Sequence, residues 1–195
     1  MKRLNVLLSS ILFVATAASL GAQTLPSATS RQLSVTAGGI ASIAQPDYFG
    51  KWSSTAPYYP VAQSSNYPLF GVGAFVDVKF SRWIQLEAEA RWLRFNQYTD
   101  IRQDNYLIGP RVPLYEMGKA TLYGKGLIGF SKMNFDTYGD HGTFTTIALG
   151  GGVDYRLTKK ISLRAIDFEY QDWPKWGNSS LMPYAASAGI SYKIF

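Results

Sequence analysis

The C-terminal stretch Leu181-Met182-Pro183-Tyr184-Ala185-Ala186-Ser187-Ala188-Gly189-Ile190-Ser191-Tyr192-Lys193-Ile194-Phe195 alternates apolar with small or polar residues and stops on an aromatic ring. Alternation at a period of two marks a strand with one apolar face. Such a strand with a free edge invites aggregation. A closed barrel in a bilayer removes the edge by pairing the last strand with the first.

Upstream, the same period recurs. Phe70, Val72, Ala74, Val76, Val78 and Phe80 oppose Gly71, Gly73, Phe75, Asp77 and Lys79. Ile84, Leu86, Ala88, Ala90 and Trp92 oppose Gln85, Glu87, Glu89 and Arg91. Ile147, Leu149, Val153, Tyr155 and Leu157 oppose Ala148, Gly150, Gly152, Asp154 and Arg156. The pattern predicts eight strands, at about 33–45, 68–80, 83–96, 104–115, 119–131, 143–157, 161–173 and 182–195. Ser81-Arg82, Glu116-Met117-Gly118 and Thr158-Lys159-Lys160 read as short turns. Pro46 to Tyr67, Gln97 to Gln103, Lys132 to Gly142 and Pro174 to Leu181 read as longer connections. Bacterial membrane barrels pair short periplasmic turns with long outer loops, which puts both chain ends on the periplasmic side.

The N-terminus has the layout of a secretory signal peptide: Lys2 and Arg3, an apolar run from Leu4 to about Leu20, then Gly21-Ala22-Gln23. The expected organisation is a signal peptide at 1–22, a short polar segment at 23–32 and a barrel at 33–195, with cleavage after Ala18 as the alternative to Ala22. Removing the leader leaves seventeen basic and thirteen acidic residues, a net charge of +4. No basic run exceeds Lys159-Lys160, so nucleic acid is not an expected partner. The chain has no Cys, which leaves burial and hydrogen bonding to hold the fold. Past the leader no apolar run approaches the ~20 residues of a spanning helix. A chain with 13 Tyr, 11 Phe, 5 Trp and 18 Gly suits strands with aromatic girdles.

A soluble eight-stranded barrel also alternates, with its apolar columns inside. Here the apolar columns are long and end on aromatics, while the opposite columns carry both signs of charge. That favours lipid outside and an interior ion-pair network of Asp77, Lys79, Glu87, Glu89, Arg91, Arg111, Lys125, Asp154, Arg156, Arg164, Asp167 and Glu169. A minority reading has these charges lining a small gated pore. In Ile161-Ser162-Leu163-Arg164-Ala165-Ile166-Asp167-Phe168-Glu169-Tyr170 the apolar set begins on odd positions and finishes on even ones. A strict period of two would put Arg164 or Asp167 against lipid, costing roughly 2–4 kcal/mol for an Arg at the midplane. A β-bulge near Ala165-Ile166 restores the phase and keeps both inside.

Other residues carry weaker signals. His141, the only His, sits in Tyr138-Gly139-Asp140-His141-Gly142 and reads first as a turn residue. No Ser–His–acid set can be built around it from spacing, and no metal or cofactor is expected. Gly150-Gly151-Gly152 falls mid-strand, outside any phosphate-cradling context, and with Gly71, Gly73, Gly124 and Gly126 is expected to make room for bulky interior side chains. Trp83 and Trp173 read as aromatic-belt residues. The aromatic first loop, from Pro46 to Tyr67, suits either a belt or a binding surface.

Val153-Asp154-Tyr155-Arg156-Leu157-Thr158, Ile161-Ser162-Leu163-Arg164-Ala165, Asp167-Phe168-Glu169-Tyr170 and Gly189-Ile190-Ser191-Tyr192-Lys193-Ile194-Phe195 together make residues 33–195 resemble the small OmpA-like outer-membrane β-barrels. The resemblance implies an all-β, eight-stranded antiparallel up-and-down barrel in the bacterial outer membrane. It also implies contact with outer-membrane lipid and lipopolysaccharide, and a Phe195 assembly signal read by the barrel-assembly machinery. A monomer is expected, with any surface ligand unidentified. One departure from the family pattern is Phe195, out of phase with Ile190, Tyr192 and Ile194. Either the last residue frays or an irregularity near Lys193 corrects it. The leading function is a non-enzymatic structural or surface-binding role through the outer loops. A narrow gated porin, a lipid-modifying enzyme and a soluble periplasmic ligand-binding barrel are the alternatives.

Overall fold

A computed structural model describes residues 33–46, 68–81, 83–95, 101–135, 140–176 and 179–195. The expected leader, the segment at 23–32, and the first loop beyond Pro46 lie outside the described residues, as do Arg82 and the loop centres at 96–100, 136–139 and 177–178. Leu33–Phe195 forms one compact unit.

The strands are β1 (Ser34–Gln45), β2 (Leu69–Lys79), β3 (Gln85–Phe95), β4 (Ile101–Met117), β5 (Ala120–Phe135), β6 (Asp140–Arg156), β7 (Ile161–Trp176), β8 (Ser179–Leu181) and β9 (Tyr184–Lys193). Each of β1 to β7 pairs antiparallel with its sequence neighbour, and β9 lies between β7 and β1, so the sheet closes on itself. β8 and β9 are two parts of one stave, which makes a closed eight-stranded up-and-down barrel. The break falls at Met182-Pro183, because proline has no N–H to give to the ladder. The Pro183 carbonyl instead accepts from Gln171 N–H at 2.8 Å.

Closure turns the usual burial order inside out. Lipid-facing Leu149 is 65% exposed and Ile128 56%, whereas Glu87, Arg91 and Glu169 are fully buried in the lumen. Inward positions keep one parity through the charged part of each strand, with register shifts only near strand ends at Phe70/Gly71 in β2 and Pro113/Tyr115 in β4, until the irregularity within β7. There Asp154 pairs with Arg164 but Val153 pairs with Ile166, and on the other side Arg164 pairs with Gly189 and Asp167 with Ser187. Ala165 and Ile166 both face outward, so the bulge sits where the charge pattern requires it.

The short turns explain themselves locally. Gly118 adopts φ +61°, the left-handed backbone that a tight hairpin between β4 and β5 demands. Ser81 Oγ accepts from the N–H groups of Trp83 (3.1 Å) and Ile84 (3.2 Å). Thr158 Oγ1 does the same for Lys160 (3.2 Å) and Ile161 (2.9 Å).

The opposite end differs from the sequence expectation. Residues 101–103, 132–135, 140–142 and 174–176, expected in long loops, are strand. Hairpin pairing continues past the barrel wall, since antiparallel ladders accept polar residues freely once outside lipid. His141 is accordingly a strand residue opposite Asn134 rather than a turn residue. The Phe195 phase conflict is resolved by an irregularity: Ile194 N–H donates to the Val35 carbonyl (2.8 Å), and Val35 N–H donates to the Phe195 carbonyl (3.0 Å). Two residues face one partner, as in a bulge, and both side chains lie outward.

Candidate functional site: the lumen

Three layers fill the lumen between the short-turn end and the loop end. The first is ionic. β2 supplies Asp77, β3 Glu87, Glu89 and Arg91, β4 Arg111, β5 Tyr123 and Lys125, β6 Asp154, and β7 Arg164, Asp167 and Glu169. Lys125 Nζ is the hub, within 2.9 Å of Asp167, 3.1 Å of Glu89 and 3.2 Å of both Glu87 and Glu169. Arg164 reaches Glu87 at 2.9 Å and Asp77 at 3.3 Å, Arg111 reaches Asp77 at 2.5 Å and also pairs with Asp154, and Arg91 bridges Glu89 to Glu169.

Two aromatic rings complete this layer. The Arg164 guanidinium lies 3.5 Å over Phe75, and that of Arg111 lies 3.6 Å over Tyr123, whose hydroxyl donates to Asp167. Both rings need a glycine across the wall. A Cβ at Gly38 would stand 2.5 Å from the Phe75 ring, and one at Gly152 would stand 2.7 Å from the Tyr123 hydroxyl. Sequence pattern does not single out Phe75 or Tyr123; the available signal is their inward parity opposite a glycine. Gly124 and Gly126 correct the glycine expectation: their parity puts them on the outward face, where a Cβ added at either would meet Leu114 at 3.4 Å or Leu149 at 3.5 Å. Outward glycines leave space for lipid-facing side chains, not luminal ones.

Ten of the twelve sequence-expected charges meet in this layer. Lys79 and Arg156 do not; they stand at the short-turn mouth and form no ion pair among the described residues. The strand ends there, and water solvates them. Inside, six carboxylates face four cations.

The second layer is neutral and polar. Ser42 and Ser187 hydroxyls meet at 2.7 Å, Ser131 and Thr146 at 2.6 Å, and Gln103 Nε2 donates to Asn105 Oδ1 at 3.1 Å. Gln171 ties this layer to the ionic one by donating to Glu169 at 2.6 Å. The third layer is apolar: Ala44, Leu69, Leu93, Met133, Trp173, Leu181 and Ala185, all buried, with Phe144 stacked on Trp173 at 5.8 Å. Trp173 is therefore not a belt residue. The bulge in β7 sets odd positions inward, so Trp173 follows Asp167, Glu169 and Gln171 into the lumen and donates Nε1–H to Gln171 at 3.0 Å. Trp83 is 62% exposed at the short-turn end, where a girdle ring belongs. A second girdle group joins β3, β4 and β5: Trp92 Nε1–H donates to the Tyr106 hydroxyl (3.1 Å), and Tyr106 lies 5.3 Å from Phe130.

An apolar belt closed around a charged core is membrane-barrel architecture, and the family comparison agrees. The family described as "Outer membrane protein beta-barrel domain" matches residues 10–193. The chain belongs to the outer-membrane β-barrel family. Its localisation is the bacterial outer membrane. Among solved structures, the Neisserial surface protein A is similar at 14% identity and TM-score 0.61, covering 83% of this chain and 97% of that one. OprG from Pseudomonas aeruginosa is similar at 13% identity and TM-score 0.52, covering 83% and 95%. At such identity the likeness concerns the fold alone. No curated protein matches the sequence.

Proposed function

We propose that this outer-membrane barrel is a sealed, non-enzymatic wall element that acts through the surface at its loop end. The sealed lumen carries the reading. An ionic layer and an apolar layer both cross it, and Glu87, Arg91, Leu69, Leu93 and Trp173 are fully buried. An ion crossing would have to break several paired buried charges and then enter a dry apolar layer, each step costing several kcal/mol. The porin reading lacks that support. The enzyme reading rests on His141, which stands exposed in the loop-end extension of β6 opposite Asn134, on the outward parity of that strand.

Planar-bilayer recording of the refolded full chain tests the first part: no conductance steps above the protein-free membrane are expected, and reproducible steps would sink the reading. Incubation with lipid A and phospholipid tests the second. No modified lipid is expected from either the parent chain or His141→Ala, and turnover abolished by that substitution would make the protein an enzyme.

A further inference from the structure

The short-turn end gathers cations that the lumen does not use. Lys79, Lys119, Arg156, Lys159, Lys160 and Lys193 all lie there, and none forms an ion pair among the described residues. Glu116 is the one exposed carboxylate side chain described at this end. The backbone holds these cations in neighbouring positions. Arg156 N–H donates to the Lys119 carbonyl at 2.8 Å, and Lys193 N–H donates to the Lys160 carbonyl at 2.7 Å. Thr158 pins the turn that displays Lys159 and Lys160.

Lys160 marks the height of this arc relative to the lipid. Its ammonium lies 5.7 Å over the ring of Tyr192, which faces outward beside Ile190 and Ile194 at the lower edge of the apolar belt. A lysine stem against a girdle ring with its charge beyond the ring is a side chain stationed at the water–lipid boundary. Lipid phosphates occupy that level.

We propose that the short-turn rim is a binding surface for the phosphate groups of anionic phospholipids in the adjoining leaflet, with Lys119, Lys159 and Lys160 as its contacts. A zwitterionic headgroup brings its own ammonium against the lysines, whereas an anionic one does not, so the surface selects by headgroup charge. It depends on the barrel lying in a membrane and not on the lumen being sealed.

Native mass spectrometry of the full chain, refolded in detergent with equimolar phosphatidylglycerol and phosphatidylcholine of matched chains, reads this selectivity. Preferential retention of phosphatidylglycerol is expected. Joint substitution Lys119→Gln, Lys159→Gln and Lys160→Gln should reduce the preference about tenfold or more, at about fivefold per lysine before screening. Arg94→Gln with Lys132→Gln, at the loop end, should leave it intact. If the triple variant fails to reach the heat-modifiable folded form, Lys160→Gln alone supplies the test at about fivefold. Equal retention of the two lipids, a preference that survives the lysine substitutions, or one lost only in the loop-end variant would each overturn the proposal.

Discussion

Lys125 is the residue on which most of the interior depends. One ammonium lies within 3.2 Å of four buried carboxylates, so removing it strands negative charge that no water reaches. Lys125→Met should therefore destabilise the folded barrel by about 3–5 kcal/mol. Urea titration in lipid vesicles measures this, and an unchanged midpoint would mean that the charges are solvated. Arg156 has the same sign and the same inward parity, yet it lies exposed at the short-turn rim. Arg156→Gln should stay within about 0.5 kcal/mol of the parent. The pair separates a buried charge from an exposed one more cleanly than either variant alone. At Gly152 the argument is steric: Gly152→Val would drive a side chain into the Tyr123 hydroxyl and into the Ile166 carbonyl, 2.1 Å from the added Cβ. Overpacking of this kind costs about 1–3 kcal/mol, and more where backbone must shift. A folding yield equal to the parent's would show that the wall has slack there.

The decisive element is β7. Its single extra residue changes the parity of everything after it, which carries Arg164 and Asp167 to the same side and draws Trp173 inward. Deleting Ala165 removes the extra residue and leaves Arg164 and Asp167 two positions apart, so both still face the lumen on a regularly paired strand. Folding into vesicles is the expected outcome, and loss of folding would mean that the bulge itself, not the phase it sets, is required. This bulge was legible in the sequence because charge and apolar columns changed places between Leu163 and Phe168. The inward course of Trp173 follows from the same phase change, but a lone tryptophan near a strand end fits a girdle equally well by composition. Strand ends were the least legible feature. Gln103, Lys132 and Gly142 carry no apolar alternation, so nothing in their side chains separates a loop from a hairpin that has left the lipid. The strong periodicity of β2, β3 and β6 did specify which face meets lipid, because lipid contact tolerates few polar residues.

At the scale of the barrel, one arrangement sets the inversion and underlies the proposed sealing: charges and an apolar layer within, a lipid-facing coat without. The twelve-residue charge list was readable because inward parity selects it, and its division into a buried layer and a solvated rim followed only from where the strands end. Apolar Leu69, Leu93 and Met133 share inward parity with the charges, so sequence alternation alone did not reveal a dry layer among polar columns. Fluorescence of variants that keep a single tryptophan, in vesicles of brominated phospholipid with iodide outside, tests inversion and sealing together. Strong quenching of Trp92 by bromine is expected, and quenching of Trp173 by neither bromine nor iodide. Quenching of Trp173 by bromine would place it against lipid, and quenching by iodide would show an open lumen; either result would contradict the account.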